Sequence, residues 1–340
     1  MRYLIWNNKG GVGKTFLTYC LATEYALKHP DKTVVVIDMC PQSNVSEMLL
    51  GGDGLGEKNL ENCYENGRTV ASYIKSRYDK SIFGKIGDEI SYFIQANDYN
   101  EHVPSNLYVL PGDVDLDICS ALIDHVASSP VRNAWITSRS YLNDLINVFE
   151  YHKKGNTVFF IDTNPSFANY TQLGLIAANR LIIPCTADSA SLRGIYNIFR
   201  LVFGVKFGNT ILDDDRFDTF HSKLQAIGTT PKVHSFVLNK ARTKNRLASK
   251  AYQAHVSNIE KIIGEFATKY STFFTEEKKS NRIYTLKDCN TLSPVINYNG
   301  LLPSSLQHGQ YDVYDMQTQV NKDQIEFFME DLDKIVSGID

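Results

Sequence analysis

Apolar residues along this chain fall into two repeating patterns. Short runs are apolar at nearly every position: RYLIW (2–6), KTVVVID (32–38), NTVFFID (156–162), NRLIIPC (179–185) and KVHSFVLNK (232–240). Rich in β-branched and aromatic residues, they predict strands buried on both faces, as in a parallel sheet. Longer segments repeat at helical spacing. Residues 14–29 place Leu17, Leu21, Ala22, Tyr25 and Ala26 on one face, and 141–150 and 189–203 carry similar patterns. The alternation predicts an α/β fold, a doubly wound, mostly parallel β-sheet flanked by helices. In such sheets ligands gather at the carboxyl ends of the strands. A glycine-rich loop after the first run, Asp38, Asp162, Pro184 and Asn239 all stand at such ends.

Other stretches break the alternation. Residues 51–105 are rich in Gly, Asn, Asp and Tyr and show helical spacing only near 69–78, which predicts a surface excursion. A second excursion is expected at 205–231, where Asp213, Asp214 and Asp215 suit a solvated turn better than a metal site. Near the end of the chain, 321–337 reads as a packing helix. Ile325, Phe328, Met329, Leu332 and Val336 form its apolar stripe, and Asn321 and Gln324 have capping-box spacing. No internal repeat is visible, so 1–340 is read as one domain.

Composition narrows the partners. The chain has 340 residues, 43% hydrophobic and 21% charged, with a formal net charge of −3. A generally basic surface is excluded, so any nucleic-acid contact has to come from a local patch. The six cysteines form no C-x-x-C pair and no Cys/His metal spacing. With no leader pattern and no apolar stretch of spanning length, the expectation is a reduced, cytoplasmic protein without a membrane segment.

The chemistry concentrates in NNKGGVGKT, residues 7–15. Gly10, Gly11 and Gly13 let successive N–H groups point at phosphate oxygens. The helix starting near Lys14 adds its positive end. Lys14 suits the β/γ-phosphates and the Thr15 hydroxyl suits Mg²⁺. The strict phosphate-loop pattern fails at its first position, which is Asn8. One loop needs one lysine, and Lys9 is a second.

The pattern K-G-G-x-G-K-[ST] is the deviant Walker A motif, and on it the chain resembles the ParA/MinD family of P-loop ATPases. VVVIDMCPQSN (34–44) resembles the segment after the family's second strand, with Pro41, Gln42 and Asn44 matching. FFIDTNPS (159–166) resembles the Walker B strand, IIPCTADSASLRGIYNIFRLV (182–202) the stretch after the next strand, and VLNKARTKN (237–245) the segment bearing adenine contacts. The resemblance is closest to ParA-type partition proteins and covers these blocks and the fold between them. It implies ATP and Mg as cofactors. Nucleotide contacts would come from Lys9, Gly10, Gly11, Val12, Gly13, Lys14, Thr15, Phe16 and Asn239, and metal contacts from Thr15, Asp38 and Asp162. It implies that Lys9 reaches the nucleotide of a partner subunit in an ATP sandwich homodimer. It also implies non-specific DNA binding through Arg200, Arg242, Lys244 and Arg246, a ParB-like adaptor, and nucleoid association.

One departure touches the reaction. The family usually reads D-x-D-P-Q where this chain has Asp38-Met39-Cys40-Pro41-Gln42. The second Asp is implicated in activating the attacking water, and a thiol of ordinary pKa is a poor base at pH 7. Lys9, Lys14, Asp38 and Cys40 are therefore the residues expected at the catalytic centre, with slow or partner-stimulated hydrolysis. A nucleotide-dependent switch without turnover is the alternative. A MinD-like membrane positioner needs a basic amphipathic terminal helix, and EFFMEDLDKIVSGID is acidic.

Overall fold

The computed structural model describes residues 1–80, 87–208, 219–241, 250–276, 282–287 and 291–339. Each of the five apolar runs forms a strand. In chain order the first half is β1 (Arg2–Ile5), α1 (Lys14–Lys28), β2 (Thr33–Met39), α2 (Asn44–Leu49), α3 (Gly52–Glu65), α4 (Val70–Lys80), β3 (Ile94–Gln95) and β4 (Leu107–Leu110). Then come α5 (Leu116–Ala127), α6 (Ala134–Arg139), α7 (Tyr141–His152), β5 (Thr157–Thr163), α8 (Asn169–Ala177), β6 (Arg180–Cys185) and α9 (Ser189–Phe203). The remainder is α10 (Phe220–Ile227), β7 (Lys232–Ala241), α11 (Lys250–Lys269), β8 (Ile283–Lys287), α12 (Leu292–Asn299), the strand pair β9 (Gly309–Val313) and β10 (Met316–Val320), and α13 (Lys322–Val336).

The large sheet has the order β3-β4-β2-β5-β1-β6-β7-β8, and every pairing is parallel except β3 with β4. Alternation along each strand explains why the runs are apolar throughout. Along β1, the Trp6 that follows it, and β2, the residues Leu4, Trp6, Val35, Ile37 and Met39 enter one core, while Tyr3, Ile5, Val34 and Val36 enter the other. A strand with helices on both faces has no solvent side, so neither residue set can be polar. The register aligns Asp38 of β2 with Asp162 of β5, and Asp162 with Ile5 of β1. Two carboxylates thus meet beside the strand that feeds the glycine loop.

Residues 51–105 contain more structure than their pattern shows. They hold α3, α4 and the edge strand β3, and Val70, Tyr73, Ile74, Tyr92 and Phe93 are buried in the core. α3 is hard to read because glycines occupy three positions of GDGLGEKNLENCYE and only Gly52, Gly56 and Cys63 are buried. β4 is the four-residue run LYVL, a strand that the apolar pattern did not single out. The terminal helix forms as expected and buries Phe328, Leu332, Ile335 and Val336. Its expected capping box does not. Asn321 makes no side-chain cap, and the N–H of Gln324 bonds the Asn321 carbonyl instead. The acidic triplet Asp213–Asp215 lies outside the described residues.

Phe160 anchors the sheet beneath the site. It is fully buried, with ring centroids 5.7 Å from Tyr3 and 5.9 Å from Tyr25. Phe160→Ala should lower unfolding free energy by ~3–5 kcal/mol, the usual cost of emptying an aromatic core position. Urea denaturation followed by circular dichroism measures it, and a loss below about 1 kcal/mol would mean that the core collapses to fill the gap.

Candidate nucleotide site

The loop between β1 and α1 places its glycines where backbone shape demands them. Gly11 (φ 72°) and Gly13 (φ 80°) are left-handed, and a Cβ on Gly13 would lie 2.1 Å from the Asn239 amide nitrogen. α1 starts on Gly13 without a side-chain cap and has no acidic residue in its first turn. Its first N–H groups therefore remain available to an anion, reinforced by the positive helix end. They face a cavity of about 710 Å³ lined by Gly10, Gly11, Lys14, Thr15, Phe16 and Cys40, among others.

The two lysines have different surroundings. Lys14 is buried, and its ammonium donates to the carbonyls of Lys9 (2.9 Å) and Asn7 (3.4 Å). Burial lowers its pKa to about 8, with the Asp162 charge pulling upward. A phosphate placed in the loop would restore full charge. Lys9 instead turns to α9. Its ammonium sits 2.5 Å from Asp188 Oδ2 and 2.6 Å from Thr186 Oγ1. Asp188 also caps α9, accepting the Ser191 N–H at 2.9 Å. Burial works against the Asp188 charge, but bonds from Lys9, Thr186 and Ser191 outweigh it and hold the pKa at about 2. Lys9 is thus a paired cation, turned away from the loop it belongs to.

Asp162 and Asp38 are both fully buried. Asp162 accepts the Thr15 hydroxyl at 2.8 Å and the Thr18 hydroxyl at 3.1 Å. Asp38 accepts from the Cys40 N–H (3.0 Å), the Ser46 N–H (3.1 Å) and the Ser46 hydroxyl (2.7 Å). Burial raises the pKa of each, and the Asp38 charge raises Asp162 further. Only Asp162 contacts Thr15, and Asp38 bonds to the start of α2. The oxygen donors of Thr15 and Asp162 fit a hard cation such as Mg²⁺, and the uncapped N–H groups with Lys14 fit a polyphosphate.

Cys40 lines the cavity as a free thiol. Burial first, then the Asp38 charge, push its pKa to about 12. Val12 is buried and Phe16 packs near Phe328, with centroids 6.1 Å apart. Asn239 donates to the Val12 carbonyl at 3.0 Å and so braces the loop. Arg200 lies in the last turn of α9, over the Phe207 ring at 5.9 Å. Arg242, Lys244 and Arg246 lie outside the described residues.

Sequence reasoning did not find the partners of these groups. Asp188, Thr186, Ser46 and Thr18 carry no motif of their own. Asp188 was accessible as a cap before the helical pattern at 189, and Thr18 as the residue one turn beyond Thr15.

A family model described as an AAA domain matches residues 3–211, more than half of the chain. A ParA family protein of Mycoplasma genitalium is 23% identical over 300 residues, covering 86% of this chain and 97% of its own. The chain belongs to the ParA/MinD-type P-loop ATPases. Solved structures agree on the fold. A Cyanothece McdA variant in complex with ATP superposes with a TM-score of 0.61 at 15% identity, over 100% of this chain and 96% of that one. A plasmid partition protein of Borrelia burgdorferi bound to AMPPNP gives 0.55 at 16% identity, with 99% of both chains covered. The glycine loop of this ATPase leads to a direct test. Gly13→Ala should abolish binding of a fluorescent ATP analogue, whereas Gly54→Ala, on an open face of α3, should leave it intact. Retained binding in Gly13→Ala would show that the loop tolerates a shifted Asn239.

Proposed function

We propose that this ParA-like ATPase binds Mg-ATP, pairs with a second copy of itself around two nucleotides, and holds DNA without sequence preference to partition or position cargo. The observation that carries the reading is Lys9. Its charge is held by Asp188 rather than by its own loop, so it remains deliverable to a second site. A triphosphate on a partner copy carries several negative charges and competes well against one carboxylate. In this reading Asp188 restrains Lys9 until such a triphosphate arrives, which links pairing to nucleotide state. Lys14 and the α1 N–H groups hold the phosphates, and Thr15 and Asp162 hold the metal ion. An Mg²⁺ ion held by these residues would supply neutralisation of the phosphate charge.

Arg200 and the Arg242, Lys244 and Arg246 cluster are assigned to DNA. These are few basic residues per copy, and pairing doubles their number, which suits a chain of net charge −3. The expected adaptor is a ParB-like protein, and the expected location is the nucleoid in the cytoplasm. Among the described residues no helix is long and apolar enough to cross a membrane. The apolar stripe of α13 is packed against the core, which disfavours a MinD-like surface helix.

Cys40 supports slow turnover. A thiol with a pKa near 12 does not act as a base at neutral pH. Positioned acid–base groups contribute ~10²–10⁴-fold, or about 3–5 kcal/mol of barrier. The same observation favours a second reading, a nucleotide switch with no turnover at all. Phosphate release with and without DNA separates the two.

Size-exclusion chromatography with ATP and with ADP tests the pairing. The parent should dimerise with ATP alone. Lys9→Ala should bind ATP but stay monomeric, and Asp188→Asn, which keeps the α9 cap but removes the charge, should dimerise at lower ATP. Dimerisation of Lys9→Ala like the parent defeats the proposed role of Lys9. For hydrolysis, Cys40→Asp should raise phosphate release by about 10²-fold or more. An unchanged rate would assign water activation to another group.

A further inference from the structure

The carboxylate of Asp162 is held by two hydroxyls from the same face of α1. Thr15 donates to Oδ2 at 2.8 Å, and Thr18, one turn on, lies 3.1 Å from Oδ1. The two threonines differ in access. Thr15 lines the nucleotide cavity, whereas Thr18 is fully buried and is not part of the lining. Thr18 therefore stands behind the cavity wall rather than in it.

The hydroxyl of Thr18 has one proton and two acceptors within reach, the Lys14 carbonyl at 2.9 Å and Asp162 Oδ1 at 3.1 Å. A bond to an ionised carboxylate is about twice as strong as one to a neutral carbonyl. The proton therefore turns to Asp162 whenever that group is charged. A cation that draws the Thr15 hydroxyl to itself removes one of the two donors on Asp162. Thr18 then supplies the hydroxyl that keeps the buried carboxylate oriented. Its branched side chain has few rotamers inside a helix, so the donor stays in place.

We infer that Thr18 is a positioning residue for divalent-metal binding, fixing Asp162 from behind while Thr15 turns to the ion. The inference rests on the Mg-ATP reading and adds to it a residue that the phosphate-loop motif does not contain. Groups in this position behind metal ligands typically alter metal affinity by ~10–100-fold when removed. A bond to the Lys14 carbonyl alone, common for threonine in helices, would have no such effect.

The test is titration of a fluorescent ATP analogue over a range of Mg²⁺ concentrations, with a parallel series in EDTA. The parent should bind more tightly as magnesium rises. Thr18→Val, nearly the same shape, should need about tenfold more Mg²⁺ to reach the same affinity, with affinity in EDTA unchanged. Thr18→Ser should restore the parent midpoint. If circular dichroism shows Thr18→Val unfolded, Thr18→Ala takes its place against Thr18→Ser. A magnesium midpoint equal to the parent in the variant lacking the hydroxyl overturns the inference alone. A parent whose affinity ignores magnesium overturns the Mg-ATP reading and the inference with it.

Discussion

A helix that begins on a left-handed glycine, with no side chain to cap it, leaves its first N–H groups to whatever ligand the fold presents. α1 begins this way on Gly13, and the molecule is arranged around that end. Asn239 braces the loop from β7, and Lys14 is buried against the loop's own carbonyls. The Asp162–Asp38 pair lies alongside, placed by register between β2 and β5. Positive helix end, buried lysine and paired carboxylates together make an environment for a polyphosphate with a divalent cation.

The same geometry explains why two lysines can occupy one short loop. Lys14 and Lys9 would repel if both pointed inward with no phosphate present. The structure avoids this by turning Lys9 outward to Asp188, the cap of α9. Asn8 also bonds to Asn197 of α9 at 3.1 Å and to the Pro165 carbonyl at 2.9 Å. The helix bearing Arg200 is thus attached to the loop at two points. Arg200 lies twelve residues beyond Asp188, about 18 Å along the axis at the usual helical rise.

Much of the candidate site was legible because its parts are local. The glycines, Lys14 and Thr15 are neighbours in the chain, and their roles follow from backbone shape and helix polarity. Strand ends were legible at Asp38 and Asp162 because buried strands are apolar until they reach a ligand. α3 was obscured by its glycines, which left too few periodic residues to register. Cys40 could be flagged as a departure, but the raised pKa of its thiol follows from burial beside Asp38, which only the fold supplies.

The sequence by itself determined that the five apolar runs are buried strands, that α1, α7, α9 and α13 are helices, and that a phosphate loop with an extra lysine opens the fold. Those properties depend on residues a few positions apart. Only the tertiary structure decided what the extra lysine and the buried carboxylates touch. Lys9 and Asp188 are 179 residues apart, and Thr18 and Asp162 are 144 apart. Such partners are set by strand order and register, which local periodicity leaves open, because any parallel arrangement of the same strands would satisfy the same apolar pattern.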